Sequence, residues 1–154
     1  MISITQKTLQ DLEFNTVLET IASRCNTDIG EAKALAITPF KNKEELLINL
    51  KQTSEYLSSF SNNNAIPNHG FENINYELKF LAIEDSFLEV GSFKKIANLS
   101  ETAITLIQFL KKFEDYYPNL YQKASQIDIV KLIIQRMDEV VDKFGIIKDN
   151  ASPD

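Results

Sequence analysis

The stretch from Glu89 to Phe113 carries apolar residues at spacings of three and four, which is the period of an α-helix. Its main stripe consists of Phe93, Ile96, Ala97, Ala103, Ile104, Ile107 and Leu110, and it is widened by Leu99, Leu106 and Phe109. A stripe this wide predicts packing neighbours on more than one side of the helix. At about 25 residues the helix would span roughly 37 Å, longer than a compact three-helix domain requires.

Capping patterns predict where three earlier helices begin. We expect Asn15, Asp28 (with Glu31) and Asn42 (with Glu45) to accept amide hydrogens that a helix start leaves unpaired. Three apolar faces follow these caps: Val17, Leu18, Ile21, Ala22 and Cys25; then Ala32, Leu35 and Ala36, closed by Pro39; then Leu46, Leu50, Thr53, Leu57 and Phe60.

Shorter segments complete the helical pattern. A helical turn is expected over Thr5–Asp11, a helix around Phe71–Leu81, and a short segment from Pro118 through Tyr121. Residues 61–70, rich in Asn and Ser, predict a mobile loop, and Glu84-Asp85-Ser86 predicts a turn.

The C-terminal segment predicts a second amphipathic helix and an apolar exit. Its stripe, between about Gln126 and Phe144, is Val130, Ile133, Ile134, Met137, Val141 and Phe144. We expect Ser125, with Asp128, to cap its start, and Gly145 to end it in the left-handed conformation. Ile146 and Ile147 follow, and two apolar residues there predict that the chain leads into a longer protein.

These patterns predict an all-α fold: one elongated helical bundle of about six helices, a single domain over residues 1–154. The chain is 44% hydrophobic, enough for one core. Its net charge of -6 repels nucleic acid and anionic membranes, and Lys94-Lys95 and Lys111-Lys112 are interpreted as solvated helix faces. A single cysteine, no signal-peptide pattern and no apolar run near 20 residues predict a cytoplasmic protein without a membrane span.

No catalytic, cofactor-binding or metal-binding residue is predicted in this chain. Four scattered glycines build no phosphate-binding loop, and His69 alone cannot supply the paired histidines of a metal motif. We interpret His69 as a surface residue and Cys25 as a packed thiol without a base. The carboxylate pairs are interpreted as solvated, because neighbouring helical residues point about 100° apart; they are Glu44-Glu45, Glu84-Asp85 and Asp138-Glu139.

A set of short landmarks resembles the N-terminus of the type-two MutS family, the bacterial MutS paralogues that carry a C-terminal Smr domain. The landmarks are Leu12-Glu13-Phe14 with Val17-Leu18 and Ile21-Ala22; Gly30, Ala32, Leu35 and Pro39; Thr53-Ser54-Glu55; and Phe144-Gly145-Ile146-Ile147-Lys148-Asp149-Asn150-Ala151-Ser152. Their order and spacing agree with the family along the whole chain.

The resemblance implies a non-catalytic core and lever segment of a longer, homodimeric protein that binds ATP and magnesium and handles nucleic acid. Clamp, ATPase and Smr nuclease domains would lie outside this chain, and nucleic-acid contacts would come mainly from the clamp, so no residue role is transferred. The resemblance leaves open whether the parent acts on mismatches, branched DNA or ribosomes. The alternative is a stand-alone helical module that binds a partner protein.

Overall fold

The computed structural model describes residues 4–128, 131–142 and 146–151, and it is built from helices. Its helices are α1 (Gln6–Asp11), α2 (Phe14–Ala22), α3 (Asp28–Leu35), α4 (Lys43–Ser58), α5 (Asn75–Leu81), α6 (Val90–Lys112), α7 (Pro118–Ala124) and α8 (Lys131–Val140). Within these ranges the only extended pairing is an antiparallel bridge between Val141 and Ile147. The all-α prediction is confirmed, with eight helices described instead of about six. None of them is long and apolar enough to cross a membrane.

Part of the predicted C-terminal helix and exit lies outside the described residues. This applies to Val130, the side chain of Ile133, Lys143, Phe144, Gly145, Ser152, Pro153 and Asp154. The helix stop expected at Gly145 therefore stays a prediction.

The chain comprises two compact units, Met1–Leu46 and Leu47–Asp154. The prediction of a single domain over residues 1–154 stays a prediction. In the first unit α2 packs against α1 and α3, and the buried apolar residues are Leu18, Ala22 and Ala34. Pro39 lies beyond the end of α3, as predicted.

Two predicted caps in the first unit are wrong by one or two residues. The residue preceding α2 is Glu13, in the left-handed conformation with a φ of 51°, and Asn15 lies inside the helix. The cap of α3 is Thr27, whose hydroxyl accepts a 3.0 Å hydrogen bond from the amide of Gly30. A threonine hydroxyl placed three residues before that amide competes successfully with Asp28, which lies in the first helical turn.

In the second unit, the long central helix agrees closely with the prediction. Helix α6 covers Val90–Lys112, with Glu89 and Phe113 as its flanking caps, and is about 34 Å long. Ile96, Ala97 and Leu110 are buried on it. It packs against α5, α7 and α8, which confirms that its wide stripe meets several neighbours.

Helix α4 begins after Asn42 as predicted, and the Asn42 side chain accepts a 2.8 Å hydrogen bond from the amide of Glu44. Of its predicted core face, Leu46 is half-buried, but the rest is exposed. We call Leu50, Thr53, Leu57 and Phe60 the α4 stripe; all four are exposed, and Phe60 lies in the turn after the helix. Other half-buried or buried residues lie on the rest of the helix and in the turn after it, including Gln52, Glu55, Tyr56 and Ser59. The reason is that α4 meets its neighbours through hydrogen bonds, described below.

The segment after α7 also differs from the prediction. Ser125 ends α7 and donates from its hydroxyl to the carbonyl of Gln122 at 3.0 Å, so it is not a cap of the following helix. Beyond α8 the chain turns back, and the amide of Lys148 donates to the carbonyl of Val140 at 2.9 Å. This exit leaves both Ile146 and Ile147 exposed.

Candidate functional site

The strongest polar constellation among the described residues centres on the carboxylate of Glu55 at the start of α7. Its Oε1 accepts from the backbone amide of Asn119 at 3.0 Å and from the side-chain amide of the same residue at 2.5 Å. Its Oε2 accepts from the backbone amide of Leu120 at 2.9 Å. One carboxylate thus holds three donors from a segment more than 60 residues away in sequence.

The chemistry of a helix start explains this arrangement. The first amides of a helix have no partner within it, and the aligned peptide dipoles make that end positive. The preceding residue, Tyr117, makes no side-chain cap, and Pro118 at the first helical position has no amide hydrogen to satisfy. Glu55 therefore supplies from α4 the cap that the local sequence lacks, through charge-assisted hydrogen bonds.

Tyr117 makes a second connection between the same parts of the fold. Its side chain is fully buried, and its ring stacks on Phe109 with centroids 5.9 Å apart. The hydroxyl lies 2.5 Å from the carbonyl oxygen of Asn64 and 3.1 Å from Oδ1 of Asn62. A phenol carries a single proton, so the nearer carbonyl is the main acceptor. The loop after α4 is thereby attached to the start of α7.

His69 belongs to this loop, and it is half-buried instead of lying on the surface as predicted. Its Nδ1 lies 3.0 Å from the carbonyl of Pro67, which can only accept, so Nδ1 carries the proton. In the neutral ring Nε2 is then the acceptor for the hydroxyl of Tyr56, 3.3 Å away. One ring nitrogen thus binds the loop itself and the other binds α4, and His69 has a structural role here.

A charged cluster joins α5 to α6. The Lys95 ammonium lies 3.2 Å from Oε2 of Glu72 and 3.6 Å from Oε1 of Glu77, which is only 4% exposed. The hydrogen bond and charge of Glu72, followed by the charge of Glu77, raise the pKa of Lys95 above its ordinary value of 10.5. Lys95 thus keeps 41% of its side chain exposed, as expected of a solvated helix face, and also pairs with two carboxylates on neighbouring segments.

An apolar groove of about 480 Å³ lies between the start of α6 and the end of α8. Its walls are mostly aliphatic and aromatic, with one cation at the edge: Leu88, Val90, Phe93, Arg136, Met137, Val140, Val141 and Ile147. Arg136 forms an exposed ion pair with Glu139 at 2.8 Å. Val141 and Ile147, which form the antiparallel bridge, both line the groove. Ile147, from the segment that follows α8, is therefore part of this apolar surface.

The other residues considered from the sequence are dispersed. The members of the carboxylate pairs are all exposed, and no group of three or more possible metal ligands occurs in the part of the chain that the structure describes. Cys25 is half-buried, and its thiol donates weakly to the carbonyl of Ile21 at 3.5 Å. Sequence periodicity alone missed Glu55, although it lies in the landmark Thr53-Ser54-Glu55.

No protein-family model matches the sequence of this chain. It is 26% identical over 151 residues to Endonuclease MutS2 of Alkaliphilus oremlandii, a match that covers 97% of this chain and 19% of that protein. The resemblance to type-two MutS proteins is confirmed.

Endonuclease MutS2 of Pelotomaculum thermopropionicum is 24% identical over 149 residues, covering 97% of the chain and 19% of the relative. The Staphylococcus aureus protein of that name is 25% identical over 161 residues, a match that covers 96% of this chain and 19% of that protein. The chain therefore spans about a fifth of the length of these MutS2 relatives.

Several of the landmarks lie at structural junctions. Glu13 adopts the left-handed turn between α1 and α2, and Pro39 follows α3. A Cβ atom on Gly30 would lie 3.0 Å from Oγ1 of Thr27, the atom that caps α3. Glu55 caps α7. These landmarks of the MutS2 resemblance thus coincide with residues that set how helices begin and meet.

Proposed function

We propose that this chain is a non-catalytic helical segment of a longer MutS2-like protein. In it the connection between Glu55 and α7 would make α4, α6 and α7 move together. The observation that carries the proposal is the similarity over nearly the whole chain to about a fifth of proteins named Endonuclease MutS2. Under this proposal ATP and magnesium binding, nuclease activity and the main nucleic-acid contacts belong to the rest of the parent.

The mechanical part of the proposal rests on how force passes between packed helices. A helix held only by apolar contacts can slide or rotate against its neighbour, whereas three short hydrogen bonds to one carboxylate fix position and direction. Glu55 fixes α7, and α7 packs against the long helix α6. A displacement of α4 would thus reach the far end of α6, about 34 Å along its axis.

The test uses the full-length protein that contains this chain, as wild type, Glu55→Gln and the control Glu101→Gln, an exposed position in α6. We expect basal ATP hydrolysis to be unchanged in all three. Stimulation of hydrolysis by branched DNA, or by ribosomes if these are the target, should fall several-fold only in Glu55→Gln. Unchanged stimulation in a folded Glu55→Gln variant would contradict the lever role.

This chain alone is expected to bind duplex DNA weakly, because its net charge of -6 opposes association with phosphates. A mobility-shift titration at low and physiological salt measures this. Tight binding by the isolated 154 residues would place nucleic-acid contacts within this segment and contradict their assignment to another part of the parent.

A second candidate function is a protein-interaction module, and the apolar groove of α6 and α8 favours it. A groove of about 480 Å³ with mainly apolar walls is of a size that accepts side chains of a partner helix or loop. This candidate predicts that the isolated chain unfolds as one cooperative unit. Two separate unfolding transitions would favour the segment of a longer protein instead.

A further inference from the structure

We infer that α5 opens and closes on α6 as a local unit, and that the ion pair between Lys95 and Glu77 controls its opening. The pair joins the ammonium of Lys95 on α6 to Oε1 of Glu77 on α5 at 3.6 Å. While the positive charge faces the carboxylate, α5 lies against α6. When that charge is withdrawn, α5 is released and the rest of the second unit stays folded. This inference goes beyond the proposed function and does not depend on it, because it concerns contacts within this chain.

Helix α5 is too short to persist through its own backbone hydrogen bonds. It has seven residues, Asn75–Leu81. Isolated helices of fewer than about 12–15 residues are only marginally stable in water, because the first turn is costly to form. Among the described helices, α5 packs only against α6. Its stability therefore depends on this one neighbour.

The buried side chain within α5 is a carboxylate, and most of its apolar side chains contribute little to the contact. Three of its large apolar residues are about half exposed or more: Tyr76, Leu78 and Leu81. Phe80 is half-buried, and Ile74, which precedes the helix, is buried. Within the helix the buried residue is Glu77, at 4% exposure. A charged group thus occupies a position where a short amphipathic helix ordinarily buries an apolar one.

The burial of Glu77 depends on the charge of Lys95. A buried carboxylate is strongly unfavourable unless a positive charge or hydrogen-bond donors offset it. Its Oε1 faces Lys95, whereas its Oε2 is buried and meets no hydrogen-bond donor among the described residues. Lys95 remains partly exposed and also lies 3.2 Å from the exposed carboxylate of Glu72. The pair therefore joins a cation that can be reached from solvent to an anion that cannot stay buried alone.

Native-state amide hydrogen exchange of the whole chain, in increasing urea below the unfolding transition, tests whether α5 opens locally. The amide of Leu78 donates to the carbonyl of Ile74 at 3.0 Å within this helix. Local opening exposes little surface, so we expect the exchange of this amide to depend only weakly on urea. Amides in the middle of α6 should follow global unfolding. An equally steep urea dependence in α5 and α6 would overturn the inference.

Matched lysine variants test the control by the ion pair. Lys95→Met should speed the exchange of the Leu78 amide about tenfold or more, because it leaves the Glu77 carboxylate buried without its cation. The control is Lys94→Met, the same change at the neighbouring exposed lysine of α6, and it should exchange like wild type. Glu77→Met/Lys95→Met should return the exchange to the wild-type rate or below it, because a buried apolar pair requires no compensating charge.

Far-ultraviolet circular dichroism verifies that the variants are folded. The control by the ion pair is overturned if Lys95→Met exchanges like Lys94→Met, or if the double variant exchanges as fast as Lys95→Met. Complete unfolding of Lys95→Met would also overturn the inference, since α5 would then not open as a local unit.

Discussion

Replacing Glu55 by glutamine should weaken the fold, and the geometry sets the size of the effect. Glutamine keeps one oxygen for the Asn119 amide but turns an NH2 group toward the Leu120 amide, so that two donors face each other. Hydrogen bonds to a charged group contribute about 1.5–3 kcal/mol, and loss of a helix cap costs about 0.5–2 kcal/mol. The freed amide can be partly hydrated, so we expect a loss of about 1–2 kcal/mol for glutamine and about 2–3 kcal/mol for alanine.

Glutamine is the more informative change, because glutamate and glutamine have nearly equal helix propensities and α4 itself should not be weakened. Equilibrium urea unfolding measures the loss, and with a slope of about 2 kcal/mol/M the midpoint should fall by about 0.5–1 M. Glu101→Gln is the matched control on an exposed helical site, expected to stay within about 0.5 kcal/mol of wild type.

Amide hydrogen exchange distinguishes the cap from a general loss of stability. The Leu120 amide donates to Glu55 and should exchange faster in Glu55→Gln under native conditions, while amides in the middle of α6 keep their relative protection. Capping by Glu55 is refuted if Glu55→Gln unfolds at the same urea concentration as Glu101→Gln and the Leu120 amide is equally protected in both variants.

Three further changes test the local arguments by urea unfolding. Tyr117→Phe removes the hydroxyl that binds the loop carbonyl and should cost about 1–2 kcal/mol; no loss would mean that the hydrogen bond is not formed in solution. Gly91→Ala should stabilise the fold by about 0.5–1 kcal/mol, because the new methyl group meets open space. Gly30→Ala should lack that gain, because its methyl group would crowd the capping oxygen of Thr27. Equal gains in the two variants would contradict the crowding at Gly30. Because the pKa of Lys95 is raised in the folded state, its pairing with Glu72 stabilises the fold fully below about pH 10.5, and this stabilisation is lost as the pH rises through the higher folded pKa. Lys95→Met should not show this loss of stability at alkaline pH. Identical alkaline stability profiles of the variant and wild type would argue against the pair.

Much of the helical framework follows from local sequence signals. The period of three and four predicts α6 almost to the residue, from Val90 to Lys112, because a long apolar stripe is consistent with only one kind of element. Asn42 precedes α4 and Pro39 follows α3, as predicted. Local signals suffice at these positions because a cap and the missing proline amide act on residues close by in the sequence. The resemblance to MutS2 proteins rests on short landmarks of the sequence alone.

The faces of the helices and the candidate site could not be obtained in that way. Periodicity shows that α4 has an apolar stripe but does not show whether a partner is present to cover it, and here the described chain leaves the stripe exposed. Glu77 was not singled out from the sequence, yet it is buried against α6, where Lys95 offsets its charge.

The sequence by itself determined the helical class, the extent of the long central helix and the similarity to MutS2 proteins, because these depend on residue order along one segment. Only the tertiary structure decided that Glu55 caps α7, that Tyr117 holds the loop after α4, and which side of α4 remains open. Each of those contacts joins residues more than 50 positions apart, and their free energy depends on distances that no local pattern specifies.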